Sequence, residues 1–107
     1  MSHSSTIESV WGSREEQERR RRILVSVAAY AYECRDDPIM SDHMYDHWAE
    51  QIDVSIDTGH PVLDEFFRTE FSPMTGIWIR DHPEIDKVEA TWERYYRNVE
   101  LYLRRQP

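Results

Sequence analysis

The feature that most constrains this chain is its longest segment without glycine or proline. That segment includes "SREEQERRRRILVSVAAYAYECR", residues 13–35, which starts directly after Gly12 and ends three residues before Pro38. Ser13 and Glu16 have the spacing of a capping box, in which each side chain accepts a hydrogen bond from the other residue's backbone N–H. The second half is apolar nearly all round, which is typical of a buried helix. The segment therefore predicts one long central helix around which the rest of the chain must pack.

Three further helices are predicted after this one, the last of them as long as the first. Ser41 or Asp42 can cap a helix that runs to about residue 53. Pro61 suits the first turn of a third helix, to about residue 71, and Pro83 opens a fourth that extends to about residue 105. The short apolar stretch "IWIR", residues 77–80, has no obvious partner strand, so it predicts a packed loop rather than a sheet.

These elements predict an all-α fold, a compact four-helix bundle that gains a fifth helix if a short turn forms near the N-terminus. The length of 107 residues suits one domain. We expect residues 1–12 to form a flexible tail and residues 13–107 to form a single helical domain.

Charge is distributed unevenly along the chain. The net charge is −8, but residues 36–93 hold 15 acidic against three basic residues, a balance of −12. Such a surface repels nucleic acid, whose affinity for proteins comes largely from Lys and Arg, and it attracts a basic protein surface. The four arginines at 19–22 follow glutamates one turn earlier, in the pairs Glu15–Arg19, Glu16–Arg20 and Glu18–Arg22, so we interpret them as a solvated helix face.

Several classes of protein are disfavoured by composition. The single cysteine, Cys34, allows no internal disulfide, and its place at the end of an apolar helix predicts a small buried side chain. No apolar run approaches the ~20 residues of a membrane helix, and the first residues do not have the pattern of a secretory signal. We therefore expect a cytoplasmic protein that contacts neither membranes nor nucleic acid directly.

No catalytic or metal-binding set is indicated by spacing. His43 and His47 lie at i,i+4, but Met44 stands where zinc proteases have glutamate, and no third ligand is indicated. The histidines are better explained as surface residues. With three glycines in the whole chain, a Gly-rich phosphate loop is also absent. The sequence thus predicts a protein that is not an enzyme and that has no metal.

One motif crosses the loop between the first two predicted helices. Residues 32–46, "YECRDDPIMSDHMYD", fit the pattern Y-E-x4-P-x2-S-D-x2-Y-D. Over residues 24–48 the chain resembles the N-terminal nicotinamide-binding subdomain of bacterial NAD-dependent DNA ligases, a small helical unit that grips the nicotinamide mononucleotide half of NAD. The resemblance implies that the cofactor-binding positions are occupied by Tyr32, Asp42, Tyr45 and Asp46.

The chain also departs from that family. Glu33 stands where the family has histidine, and it brings negative charge towards the place of a phosphate, although the neighbouring Arg35 is positioned in sequence to offset part of it. Lys87 is the only lysine, and it does not lie in a K-x-D-G context. The part of the ligase that transfers adenylate therefore has no counterpart, and the resemblance implies neither adenylation nor nick sealing.

Two functions are consistent with these features. The first is an acidic interaction protein that binds the basic surface of a nucleic-acid-processing protein and inhibits or modulates it; in size and acidity the chain resembles phage-encoded anti-CRISPR proteins, which act in the host cytoplasm. The expected contact residues are Asp36, Asp37, Asp42, Asp46, Glu50, Asp64, Glu65, Asp81 and Glu84. The alternative is an accessory or sensor domain that binds nicotinamide mononucleotide or NAD. An HTH-like DNA binder is disfavoured by the acidic second and third helices.

Overall fold

The computed structural model describes residues 12–97. Within this range the chain forms four α-helices, with a 3-10 helix before the last one and a π-helical segment directly after it. The α-helices are α1 (Arg14–Arg35), α2 (Asp42–Glu50), α3 (Pro61–Thr69) and α4 (Ile85–Thr91), the 3-10 helix is Ile77–Asp81, and the π-helical segment is Trp92–Arg97. The described residues include no strand, and the predicted all-α fold is confirmed.

The ends of α1 follow from its sequence. The Ser13 hydroxyl accepts a hydrogen bond from the Glu16 N–H at 3.1 Å, and a Glu16 carboxylate oxygen accepts from the Ser13 N–H at 3.3 Å, so the predicted capping box is confirmed. Asp36 ends the helix in the left-handed conformation, with φ at 51°. Aspartate tolerates this conformation better than most residues, and the chain leaves the helix there, before Pro38.

The core lies between the second half of α1 and the elements that follow α2. Val25, Val27 and Ala31 of α1 are buried together with Phe67 and Ile79. Aromatic rings fill most of the remaining space, and the Phe67 and Trp78 ring centroids are 5.6 Å apart. Residues 77–80 were predicted to form a packed loop, but they form part of a 3-10 helix. Burial of Trp78 and Ile79 in the core anchors this segment.

Several helix ends differ from the sequence prediction. Helix α2 stops at Glu50 instead of residue 53, because the next two N–H groups bond to carbonyls three residues back and tighten the chain into a turn. Helix α3 ends at Thr69, and α4 starts at Ile85 and changes to π-helical geometry at Trp92. The predicted N-terminal turn and residues 1–11 of the tail lie outside the described residues, as does the predicted continuation over 98–107; the domain limits stay a prediction.

A buried ionic network joins α1 to α3; we use this name for Glu18, Arg22 and Asp64. Arg22 Nε donates to a Glu18 carboxylate oxygen at 2.8 Å and Nη1 donates to Asp64 Oδ1 at 2.9 Å. All three residues are almost wholly buried. Hydrogen bonds from Thr58 and Arg22 hold the pKa of Asp64 below its ordinary value, against burial, which alone would raise it.

Two sequence expectations are wrong at this network. Arg22 is only 5% exposed, so the arginines at 19–22 are not a uniformly solvated face, and of the three predicted i,i+4 pairs only Glu18–Arg22 forms within residues 12–97. Asp64 is 2% exposed and therefore cannot belong to an acidic contact surface. Both errors have one cause: Arg22 has a partner 42 positions away that local spacing does not reveal.

Two further properties bear on the protein's surroundings. Cys34 is exposed rather than buried, since its position on α1 turns it away from the core. Among the helices of residues 12–97, none combines the length and apolarity that crossing a membrane requires.

Candidate functional site

A pocket lies where the C-terminal half of α1 meets the following loop, α2 and the segment before the 3-10 helix. Its volume is about 370 Å³, within the range of small-molecule sites. Tyr32, Asp42, Tyr45 and Asp46, the four residues singled out by the ligase-like motif, all line it. The fold thus brings into one cavity residues that the sequence separates by a loop.

Helix α2 positions two of the pocket carboxylates. Ser41 is its N-cap and accepts a hydrogen bond from the Met44 N–H at 3.1 Å, which fixes where the helix begins. Asp42 is therefore in the first turn, and Asp46 follows one turn later on the same face. Both side chains are exposed, and neither forms an ion pair with another described residue.

Tyr45 links α2 to the opposite wall of the pocket. Its hydroxyl donates to the Thr75 carbonyl at 3.4 Å. Burial raises the pKa of Tyr45 to about 12, and the nearby carboxylates of Asp46 and Glu33 act in the same direction. The phenol therefore stays protonated at neutral pH and presents a neutral aromatic side chain with a hydroxyl.

Small residues keep the base of the pocket open. Ala28, Ala29 and Gly76 all line it. A Cβ at Gly76 would lie 3.4 Å from the Ala29 Cβ and 3.5 Å from the Glu33 Cγ, so the segment carrying Gly76 approaches α1 about as closely as a side chain would allow. Met40 and Met74 add polarizable thioethers to the lining.

Glu33 brings a third carboxylate to the pocket, and its cationic partner differs from the sequence expectation. Arg80 Nη2 lies 3.7 Å from Glu33 Oε1 and donates to the Glu33 backbone carbonyl at 3.0 Å. Arg35 instead pairs with Glu89 and lies over the Trp92 ring, 4.9 Å from its centroid. Arg80, 47 positions from Glu33 and without a signal in the motif, thus offsets part of this charge.

The nine carboxylates predicted to form a contact surface fall into different environments. Asp36, Asp42, Asp46, Glu50 and Asp81 are exposed and make no ion pair within residues 12–97, and Asp37 is half-buried. Glu65 pairs with Arg68, and Glu84 pairs with His60 and Lys87. With Asp64 in the buried ionic network, four of the five members of this set that are exposed and lack ion pairs lie in residues 36–50.

A second cavity of about 360 Å³ lies between α1, α3 and α4 and has a mainly apolar lining. His82 borders it and is 7% exposed, with its ring 5.3 Å from that of Phe66. Burial lowers the pKa of His82 to about 4, so the imidazole is neutral at pH 7. Its Nδ1 accepts the Glu84 N–H at 3.0 Å, a structural contact that the sequence analysis did not foresee.

The histidines of α2 are surface residues, as predicted. His43 and His47 are exposed, and His47 Nε2 lies 2.8 Å from the Gln51 side-chain amide nitrogen. Across residues 12–97 no three His, Cys, Asp or Glu side chains gather in a way that would hold a metal ion.

Comparison of the chain with models of known protein families, with curated protein sequences and with solved structures finds no match. Function is therefore inferred from the chemistry of the pocket and of the charged surface.

Proposed function

We propose that the pocket binds a nicotinamide ribosyl group, the part that nicotinamide mononucleotide and NAD share, and that the protein is a non-enzymatic accessory or sensor domain for such a ligand. The observation that carries this proposal is that Tyr32, Asp42, Tyr45 and Asp46 line one cavity of about 370 Å³. These are the four residues on which the resemblance to the ligase subdomain depends.

The chemistry of the lining suits this ligand. The oxidised nicotinamide ring is flat and carries a positive charge, and the faces of tyrosine rings attract such cations. Asp42 and Asp46 are exposed carboxylates without an ion pair among the described residues, so they can balance the ring charge or accept hydrogen bonds from ribose hydroxyls. The protonated Tyr45 hydroxyl adds a neutral polar group.

Calorimetric titration of the full chain with nicotinamide mononucleotide and NAD, up to millimolar concentration, tests the proposal. We expect saturable binding that weakens about tenfold or more in Asp46→Asn, since a charged hydrogen-bond acceptor is lost. Asp81→Asn is the matched control: Asp81 is also exposed and without an ion pair, but it does not line the pocket. If the wild-type protein binds neither these two ligands nor nicotinamide riboside, the proposal is contradicted, as it is by equal loss in both variants.

A second candidate function is favoured by the concentration of exposed carboxylates in residues 36–50. In this function the acidic residues bind the basic surface of a nucleic-acid-processing protein in the cytoplasm and inhibit or modulate it, as a phage-encoded anti-CRISPR-type inhibitor does. Asp36, Asp42, Asp46 and Glu50 support this candidate because none of them is neutralised by an ion pair within residues 12–97.

A pull-down from bacterial lysate at 0.1 and 0.5 M salt tests this second function. We expect a nucleic-acid-processing protein to be retained at the lower salt and released at the higher, because screening shortens the reach of surface charge. Asp42→Lys combined with Asp46→Lys should abolish capture, whereas Glu70→Lys combined with Asp86→Lys, at exposed carboxylates outside the expected contact residues, should not. If no such protein is retained at either salt concentration, the second function loses its support.

A further inference from the structure

The pocket carries an excess of negative charge in its lining. Glu33, Asp42 and Asp46 contribute three carboxylates, and no Lys, Arg or His is among the lining residues described. Arg80 partly offsets Glu33, but its side chain is 58% exposed and it is not part of the lining. A ligand that enters this pocket therefore meets anions and aromatic rings.

We propose, building on the function proposed above, that the ligand is a phosphate-free pyridinium cation such as nicotinamide riboside, and that the pocket discriminates against the mononucleotide. The reason is that phosphate sites in proteins are built from Lys, Arg and unsatisfied backbone N–H groups. The lining supplies carboxylates in their place, and these favour a cation while repelling a phosphate.

The start of α2, the α-helix N-terminus that lines the pocket, does not provide a phosphate site. Ser41 already satisfies the Met44 N–H, and Asp42 places a carboxylate in the first turn. That carboxylate complements the positive end of the helix dipole, which is the role that a bound phosphate would otherwise take. A phosphate at this helix start would have to lie beside Asp42.

The size of the discrimination follows from Coulomb's law. One like charge at about 7 Å weakens binding by roughly threefold at the dielectric constant of water and by roughly fiftyfold at an effective value of about 20. The lining holds three carboxylates, so a phosphate inside the pocket would lie near more than one of them. We therefore expect nicotinamide riboside to bind at least about tenfold more tightly than nicotinamide mononucleotide.

The test is calorimetric titration of the full chain with nicotinamide riboside, nicotinamide mononucleotide and N-methylnicotinamide, at 0.1 and 1 M salt. The riboside should bind most tightly at 0.1 M, and its advantage over the mononucleotide should shrink at 1 M, where the screening length falls from about 10 Å to about 3 Å. N-methylnicotinamide should bind more weakly than the riboside, because it keeps the cation but loses the ribose.

Glu33→Gln sharpens the test, because it keeps the side-chain shape and removes one charge. It should strengthen mononucleotide binding several-fold and leave riboside binding equal or weaker, with circular dichroism to verify folding; the wild-type titration decides the matter alone if this variant does not fold. Mononucleotide binding as tight as riboside binding in the wild type overturns this inference and leaves the proposed function standing. If none of the three ligands binds, both are overturned.

Discussion

The buried ionic network and the pocket both contain carboxylates, but the two groups of carboxylates lie in opposite environments. In the buried ionic network, Glu18 and Asp64 receive hydrogen bonds from Arg22, and Thr58 donates to Asp64 at 2.6 Å. At the pocket, Asp42 and Asp46 are exposed and have no ion pair among the described residues. The carboxylates of the network are neutralised by Arg22 and by hydrogen-bond donors, whereas those of the pocket keep a charge that a ligand can meet.

The difference follows from what burial requires of a charge. A carboxylate removed from water loses several kcal/mol of hydration, so it persists only where cations and donors replace that water. Exposed carboxylates stay hydrated and need no partner. The buried ionic network is therefore explained by stability. Asp42 has a folding role as well, because it complements the dipole at the start of α2, whereas the place of Asp46 at the pocket is better explained by binding.

The largest effect is expected from breaking the buried ionic network. Arg22→Ala should lower the free energy of unfolding by about 3–5 kcal/mol, because it leaves two buried carboxylates without their shared cation. Urea denaturation followed by circular dichroism measures this loss. Arg20→Ala is the matched control: Arg20 is exposed and forms no ion pair or side-chain hydrogen bond within residues 12–97, so its change should stay within about 0.5 kcal/mol. Equal effects in both variants would show that the network is not structural.

A smaller effect is expected from His82 as the pH falls. Its pKa is about 4 in the folded protein and about 6.5 in the unfolded chain, so the unfolded chain binds more protons between these values. The contribution of His82 is then fully retained well above pH 6.5, and stability declines by about 3 kcal/mol as the pH falls from 7 to 4. Denaturation midpoints measured from pH 7 to 4 check this prediction.

His82→Gln provides the control for that pH dependence. Glutamine has no titration in this range, so the slope of stability between pH 6.5 and 4 should flatten even if the variant is less stable overall. The depressed pKa values of Asp64 and Asp53 act in a separate window, because their contributions are lost only below about pH 4. An unchanged slope in His82→Gln would assign the pH dependence to other groups.

The smallest effect on stability is expected at the pocket. Asp46→Asn should change the free energy of unfolding by no more than about 0.5 kcal/mol, because Asp46 is exposed and outside every ion pair described. For ligand affinity we expect a different result: Asp46→Asn should weaken binding, whereas Arg20→Ala should leave it unchanged. A marked loss of stability in Asp46→Asn would mean that this carboxylate, like those of the network, serves folding.

The sequence predicts what depends on local spacing. The capping box at Ser13 and Glu16 follows from residues close together along the chain, whereas the place of Tyr32 and Asp46 at one pocket was implied by the family resemblance and not by spacing. The pairing of Arg22 with Asp64 and of Arg80 with Glu33 spans 42 and 47 positions, so packing alone determines it. Helical spacing therefore wrongly predicted a solvated Arg22. Proximity in sequence wrongly suggested Arg35, in place of Arg80, as the cation beside Glu33.

The most direct test of the central claim is an NMR titration of ¹⁵N-labelled protein with nicotinamide riboside. We expect saturable shifts in the backbone amides of the pocket, at Tyr32, Tyr45 and Gly76, with those of Glu18 and Asp64 unmoved. Shifts centred on the buried ionic network, or an unchanged spectrum at millimolar riboside, would contradict the claim that the unpaired carboxylates form a binding site.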